Sequence, residues 1–392
     1  MKHRAVGAVL FGGGVLLLAL AAGLVFVVKP AMTKLPYDLD PSTSVAEAKG
    51  ATFLQITNGA VAINQADLAS TVQVTPERDK TAALSGDLAG DSVVWQVGQT
   101  VERTDTKALV SAYGAELALD RVSGAAVEWN EQFLDESGTP EKISFAGQVY
   151  KFPFNAAQGN YEVFDRDLRQ TRMAEFKGTE DVDGLEAYRY EQVITDEKLP
   201  LATDRVALLL GALAPGATSG EVVYSNTRTV WVDPVTGSYV NVREQQKKVL
   251  VPNVGTPVTL LDADFSYNEE TVSSSVERAK ESRGQLNLLG VFAPLGLAVL
   301  GLVLIIVALL VSRSRTPARP AAHAAPARAA QPAAAAPAAD PTPTRVDQPV
   351  VRDDERAAGP LTDEIPPAST NWKSDEPTVP SQRPAQDESE KK

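Results

Sequence analysis

Asp233-Pro234-Val235-Thr236-Gly237, followed by Val240, repeats an earlier stretch, Asp120-Arg121-Val122-Ser123-Gly124, followed by Val127. Both read Asp-x-x-Ser/Thr-Gly-x-x-Val. Asp hydrogen-bonds the backbone of a turn two residues on and Gly supplies a positive φ, so a strand should enter and another leave at each site. A second pair, Phe152-Pro153-Phe154-Asn155 and Phe265-Ser266-Tyr267-Asn268, shares Phe-x-aromatic-Asn at the same offset (233 − 120 = 265 − 152 = 113). Two matches at one offset predict an internal duplication of antiparallel β units.

The stretches around the turns agree. Thr52 to Ile56, Ala69 to Val74, Val93-Val94-Trp95-Gln96-Val97 and Glu116 to Leu119 are β-branched or alternate between apolar and polar, as half-buried strands do. The expected fold is α+β, with a mainly antiparallel β domain over residues 29–287 and an apolar helix on each side.

Residues 5–28 and 288–311 carry no charged side chain. A helix of that length is about 36 Å long, enough to cross about 30 Å of hydrocarbon with some tilt. The alternative for the first run is a cleaved signal peptide, since Lys2 and Arg4 precede it and Ala19-Leu20-Ala21 resembles a cleavage site. Against this, the apolar run continues through Leu24-Val25-Phe26-Val27-Val28. Lys2 and Arg4 before the first span, and Arg313, Arg315, Arg319 and Arg328 after the second, put both termini in the cytoplasm by the positive-inside rule. Lys29, Lys34, Lys280 and Arg283 on the outer flanks weaken that bias. Ala8-x-x-x-Gly12 and Ala19-x-x-x-Gly23 have the small-residue spacing of a helix contact. Pro294 is expected to kink the second helix.

Of the formal charge of −13, residues 29–287 contribute −14, from 24 Lys or Arg against 38 Asp or Glu. An acidic domain with no dense basic patch disfavours nucleic acid. With 0 Cys, there are no disulfides and no thiolate metal sites. The 2 histidines, His3 and His323, both lie outside the β domain, which excludes Ser-His-Asp and Cys-His nucleophiles there. No phosphate-loop, dinucleotide or nucleophile-elbow motif occurs. Glu180-Asp181-Val182-Asp183-Gly184 lacks the further ligands of a calcium loop and reads as a solvated turn. Carboxylate-dependent glycan chemistry is the enzymatic class left open, and no pair marks a site. The expectation is a non-enzymatic protein with no catalytic residue, cofactor or metal.

Asp204 to Leu213 lacks the polar face of an ordinary surface helix. It must be a buried core helix or be covered by lipid or protein. In the second case Val206, Leu208, Leu209, Leu210 and Leu213 are the candidate lipid or membrane contacts. Thr271 to Gln285 reads as a helical stalk into the second span. Residues 312–392, rich in Pro and Ala and then in mixed charge, read as a disordered cytoplasmic tail.

Lys34-Leu35-Pro36-Tyr37-Asp38-Leu39-Asp40, Tyr150 to Tyr161 with Phe152-Pro153-Phe154, Phe176-Lys177-Gly178 through Val182-Asp183-Gly184-Leu185 to Tyr188, and Arg228-Thr229-Val230-Trp231-Val232-Asp233-Pro234-Val235-Thr236-Gly237 together span most of residues 1–312. As a set they resemble the actinobacterial family known as domain of unknown function 3068, or porin PorA. The resemblance implies a two-span envelope protein of mycolic-acid and related actinobacteria, linked to assembly of lipoglycans such as lipomannan and lipoarabinomannan. It supplies no catalytic residue. The reading that follows is an anchored ectodomain that binds a membrane lipid or lipoglycan intermediate, or an envelope protein partner. The alternatives are a structural or regulatory scaffold for an envelope enzyme, a carboxylate-dependent glycan enzyme, and a porin. Outer-membrane barrels cross with many short amphipathic strands, whereas long apolar helices hold a chain in the inner membrane.

Overall fold

The computed structural model describes residues 2–57, 59–136 and 138–313. The expected tail lies outside the described residues almost entirely, as do the side chains of Lys2 and Arg4.

Both apolar runs are helical. The first comprises α1 (Lys2–Gly23), a π-helical turn (Leu24–Val28) and α2 (Lys29–Met32). The second comprises α5 (Glu269–Asn287), a π-helical turn (Leu288–Phe292) and α6 (Ala293–Arg313). Each π turn lies just before a proline, Pro30 or Pro294. A proline cannot donate to the carbonyl four residues back, and wider local winding re-accommodates that carbonyl. Asn268 caps α5, its side chain accepting from the Thr271 amide at 2.9 Å.

The two helices pack antiparallel along small residues spaced by seven: Gly7, Gly14 and Ala21 against Pro294, Gly301 and Ala308, all buried. A Cβ on Gly14 would lie 2.6 Å from the Gly301 carbonyl oxygen, and one on Gly301 2.8 Å from that of Gly14. The backbones therefore touch, and only glycine fits. The expected Ala8/Gly12 and Ala19/Gly23 pairs are not the contact, since Ala8 and Ala19 are exposed and a Cβ on Gly12 would meet nothing within 4 Å. The contact stripe is one residue off the first pair because the packing follows a heptad seam.

The domain between the helices is one antiparallel sheet, as expected. Its first half holds β1 (Ser42–Thr57), β2 (Ala60–Pro76), α3 (Arg78–Ala83), β3 (Ser92–Arg103), β4 (Leu109–Asp120), β5 (Ala126–Val127) and β6 (Phe133–Asp135). The second holds β7 (Tyr161–Asp165), β8 (Gln170–Val182), β9 (Leu185–Lys198), α4 (Thr203–Leu213), β10 (Gly220–Val232), β11 (Tyr239–Pro252) and β12 (Val258–Tyr267). The order is β5-β4-β3-β2-β1-β12-β11-β10-β9-β8-β7, with β6 also on β4. The first and last strands by sequence, β1 and β12, are thus neighbours at the centre. The sheet curls until its outer edges meet on one segment: the Ala126 amide donates to Gly147 O, the Gln148 amide to Glu162 O and the Phe164 amide to Gln148 O, each at 2.8 Å. Gly147 has φ +65°, and a Cβ there would lie 2.5 Å from Glu162 O. Closing the edges satisfies backbone groups that would otherwise be a template for aggregation.

The duplicated turns fold alike. Asp120 ends β4 and accepts from the Ser123 amide and hydroxyl at 2.6 and 2.7 Å. Asp233 follows β10 and accepts from the Thr236 amide at 3.1 Å and from the Thr236 hydroxyl. Gly124 and Gly237 take φ +68° and +73°. The second matched pair is not equivalent, because Phe152 lies in an irregular segment and Phe265 in β12. The duplication is local to the turn and its flanking strands.

The chain has no native cysteine, so the helix seam can be tested by cross-linking. A Cβ on Gly7 would lie 2.6 Å from Ser312 Oγ, and Gly7→Cys with Ser312→Cys should form an intramolecular disulfide in membranes. Adding Gly301→Leu should abolish it; cross-linking that persists would place the seam elsewhere.

Candidate functional site

Segment 151–156 lies between the two matching turns. The Phe152 amide donates to Gly237 O at 2.8 Å, the Asn155 amide to Val235 O at 3.1 Å and the Ala156 amide to Pro234 O at 2.8 Å. A Cβ on either turn glycine would press on the Phe152 carbonyl, at 3.2 Å from Gly124 and closer still from Gly237.

Each turn also holds the root of one apolar helix. After α2, the Leu35 amide donates to Arg121 O at 2.7 Å and Arg121 Nε donates back to Leu35 O at 2.6 Å. The Arg121 guanidinium also covers the Tyr37 ring at 3.7 Å. On α5, Arg283 Nε donates to Asp233 Oδ1 at 2.6 Å, and Asp233 has no exposed surface. The domain and the two helices thus form one framework.

Two cavities lie inside it. The inner one, about 230 Å³, occupies the lumen of the curled sheet and is walled by residues from β1–β4, β7 and β10–β12. The outer one, about 810 Å³, lies where the helices meet the sheet, bounded by Val27, Val28, Ala31, Met32 and Leu286 on one side and by Trp95, Lys151 and Phe154 on the other. Val72, Tyr150, Tyr239 and Tyr267 line both. The two cavities adjoin across these residues, an aromatic neck whose Tyr150 Oη contacts Tyr113 Oη at 3.2 Å. Burial raises the Tyr113, Tyr150, Tyr239 and Tyr267 hydroxyls above the usual tyrosine range, so they stay neutral.

Beyond the neck the lumen carries a charged belt. Arg228 Nε donates to Glu244 Oε1 at 2.6 Å, its Nη1 donates to Phe164 O at 3.1 Å, and its Nη2 lies 3.5 Å from Asp165 Oδ2. Lys248 Nζ donates to Asp167 Oδ1 at 2.6 Å, and Arg166 covers the Tyr113 ring at 4.3 Å. Burial pushes the Asp167 carboxyl up, but Lys248 and Arg166 outweigh it and hold the group below the usual carboxylate range. Burial raises Asp165, and Arg228 pulls it back only in part.

At the ends of β10 and β11 away from the Asp233 turn, α4 packs on the strands. Leu209 and Leu210 are buried with Ile194, Val222, Tyr224 and Leu250, and Val206 and Leu213 pack on that cluster. Leu208 is 51% exposed. The helix therefore presents its apolar face to the core, and none of the five lines either cavity. The residues that do were missed as a site in the sequence. A local signal was present at Lys151, a lysine set beside Phe152-Pro153-Phe154. Among the described residues no group of three or more His, Cys, Asp or Glu could hold a metal.

Residues 6–310 match the family described as Porin PorA. The chain belongs to that family. Among its relatives, a Porin PorA of Corynebacterium amycolatum is 24% identical over 265 residues, covering 54% of this chain and 68% of the relative. A Porin PorA of Corynebacterium resistens (strain DSM 45100 / JCM 12819 / GTC 2026 / SICGH 158) is 25% identical over 307 residues, covering 59% and 74%. The family match takes in both apolar helices and the whole sheet, and the helices make this a membrane-associated member.

Two measurements probe the buried charges. Arg228→Met leaves Asp165 and Glu244 without their partner, and should cost about 3–5 kcal/mol in chemical unfolding. Burial lowers the Lys151 ammonium from its ordinary 10.5 to about 7, outweighing the opposing pull of Asp233. The unfolded chain therefore binds more protons than the folded one between those values, and stability should rise with pH across that window. Lys151→Met should lose that rise. Parallel curves for the two proteins would show that Lys151 is solvated.

Proposed function

We propose that the chain is a two-pass, non-enzymatic membrane protein with both termini in the cytoplasm. In this reading its ectodomain takes a lipid or lipoglycan intermediate from the outer leaflet during envelope assembly. One observation carries the reading: the larger cavity lies at the roots of both apolar helices and shares an aromatic wall with the lumen. With the helices in a bilayer, that mouth lies at the level of the headgroups, so an acyl chain can enter without crossing water. The cavity size and mixed lining suit a lipid-sized guest.

The outer face of the sheet supports the same reading. Arg243, Gln245 and Lys247 point outward from the middle of β11 and are exposed, with Arg243 Nε donating to Asp264 Oδ1 at 2.8 Å. A barrel that crosses a bilayer needs an outward apolar band, and mid-strand charges there cost about 2–4 kcal/mol each. The sheet is thus suited to water, and α4 packs on the strand ends farthest from the Asp233 turn. A pore, which the family's name suggests, remains a second reading with its own readout.

The test is native mass spectrometry of the full chain released from bilayers. Co-purifying lipid is expected on the wild type, and Val72→Trp, which fills the neck, should reduce it several-fold. Lipid-free wild-type protein with single-channel conductance would instead establish the pore.

A further inference from the structure

The mouth cavity differs in charge from the domain that surrounds it. Residues 29–287 carry a formal −14, with 24 basic against 38 acidic side chains. Yet Lys34, Lys151 and Arg278 line the mouth, with Asp40 the one carboxylate among the lining residues. Lys34 lies 3.5 Å from Asp91, outside the lining. Arg278 hydrogen-bonds Ser275 Oγ at 3.1 Å and has no carboxylate within ion-pair distance among the described residues.

Lys151 is the less ordinary case. It is 6% exposed, its Nζ donates to Thr236 O, and it lies 4.2 Å over the Phe154 ring. No carboxylate reaches it among the described residues, because the nearby Asp233 is engaged by Arg283 and by its own turn. A buried ammonium without a counter-charge is unfavourable, and the pinning of Lys151 between two turns prevents the side chain from escaping to water. The same cavity is lined by a second unmet group, Trp95 Nε1, a donor in a residue 7% exposed that has no acceptor among the described residues. The rest of the wall is largely apolar, from Val27 and Met32 to Leu39 and Phe154.

The geometry points to the mouth as a binding site for an anionic amphiphile. Its carboxylate or phosphate is received by Lys151, Trp95 Nε1 and Arg278, and its chain lies along the apolar wall toward the tyrosine neck. This deepens the proposed function and rests on it, adding the sign and position of the headgroup. The anion supplies the counter-charge that the fold withholds from Lys151, and the indole N–H gains its acceptor. A neutral lipid with the same tail satisfies neither.

The experiment titrates the full chain, in neutral-lipid nanodiscs, with cis-parinaric acid and with its methyl ester, reading tryptophan quenching and probe emission. The acid is expected to bind at least tenfold more tightly than the ester. Lys151→Met should remove that preference, so that acid and ester bind alike. Trp95→Phe, which deletes only the donor, should weaken the acid several-fold and serves if the lysine variant fails to fold. Equal binding of acid and ester would overturn the headgroup site while leaving the lipid reading intact. Binding of neither would overturn both. Displacement of the acid by inorganic phosphate at similar concentrations would overturn the amphiphile assignment in favour of a plain anion site.

Discussion

The structure depends on one wholly buried carboxylate. Asp233 terminates β10, closes its turn through Thr236, and receives Arg283 from α5, the helix that becomes the second apolar run. Its counterpart, Asp120, closes the matching turn after β4, where Arg121 grips the chain leaving the first run. These two turns join the sheet to a pair of apolar helices. Because both press on the Phe152 carbonyl, they also hold segment 151–156 across the end of the lumen. Removing an acceptor that serves several donors leaves them all unmet, so the cost exceeds that of a surface pair.

The framework explains why the larger cavity lies where it does. Gly14 and Gly301 hold the two helices backbone to backbone at mid-length. Lys29 still packs against Gly290, and beyond that contact each helix is tied to a different part of the sheet, with the cavity between Met32 and Leu286. Two π-helical turns occupy that region, each forced by a proline.

Much of this was legible in the sequence. The charge-free runs, the strands around Val93 to Val97 and Glu116 to Leu119, and the Asp-x-x-Ser/Thr-Gly turns carry their own periodicity or turn chemistry, and each is found where expected. The second aromatic pair misled because Phe-x-aromatic-Asn has no single conformational meaning, whereas Asp with Gly at this spacing does. The helix seam was misplaced because several small residues compete, and only the partner helix selects Gly7 and Gly14. The lumen was invisible for a different reason. In β11 the inward residues Glu244, Gln246 and Lys248 are as polar as the outward Arg243, Gln245 and Lys247, so no alternation marks which face encloses a cavity. The apolar stretch 204–213 drew attention instead, and it packs its apolar face on the core at the other end of the strands.

The central claim is that a lipid occupies the passage from the helix roots through the tyrosine neck. The most direct measurement is an experimental structure of the full chain in a lipid bilayer, with the bound material left in place. The account predicts continuous elongated density from between Met32 and Leu286, past Tyr150 and Tyr239, toward the lumen, with its polar end at Lys151. Both cavities filled only by ordered water, or a sheet whose outer face is embedded in lipid, would contradict it.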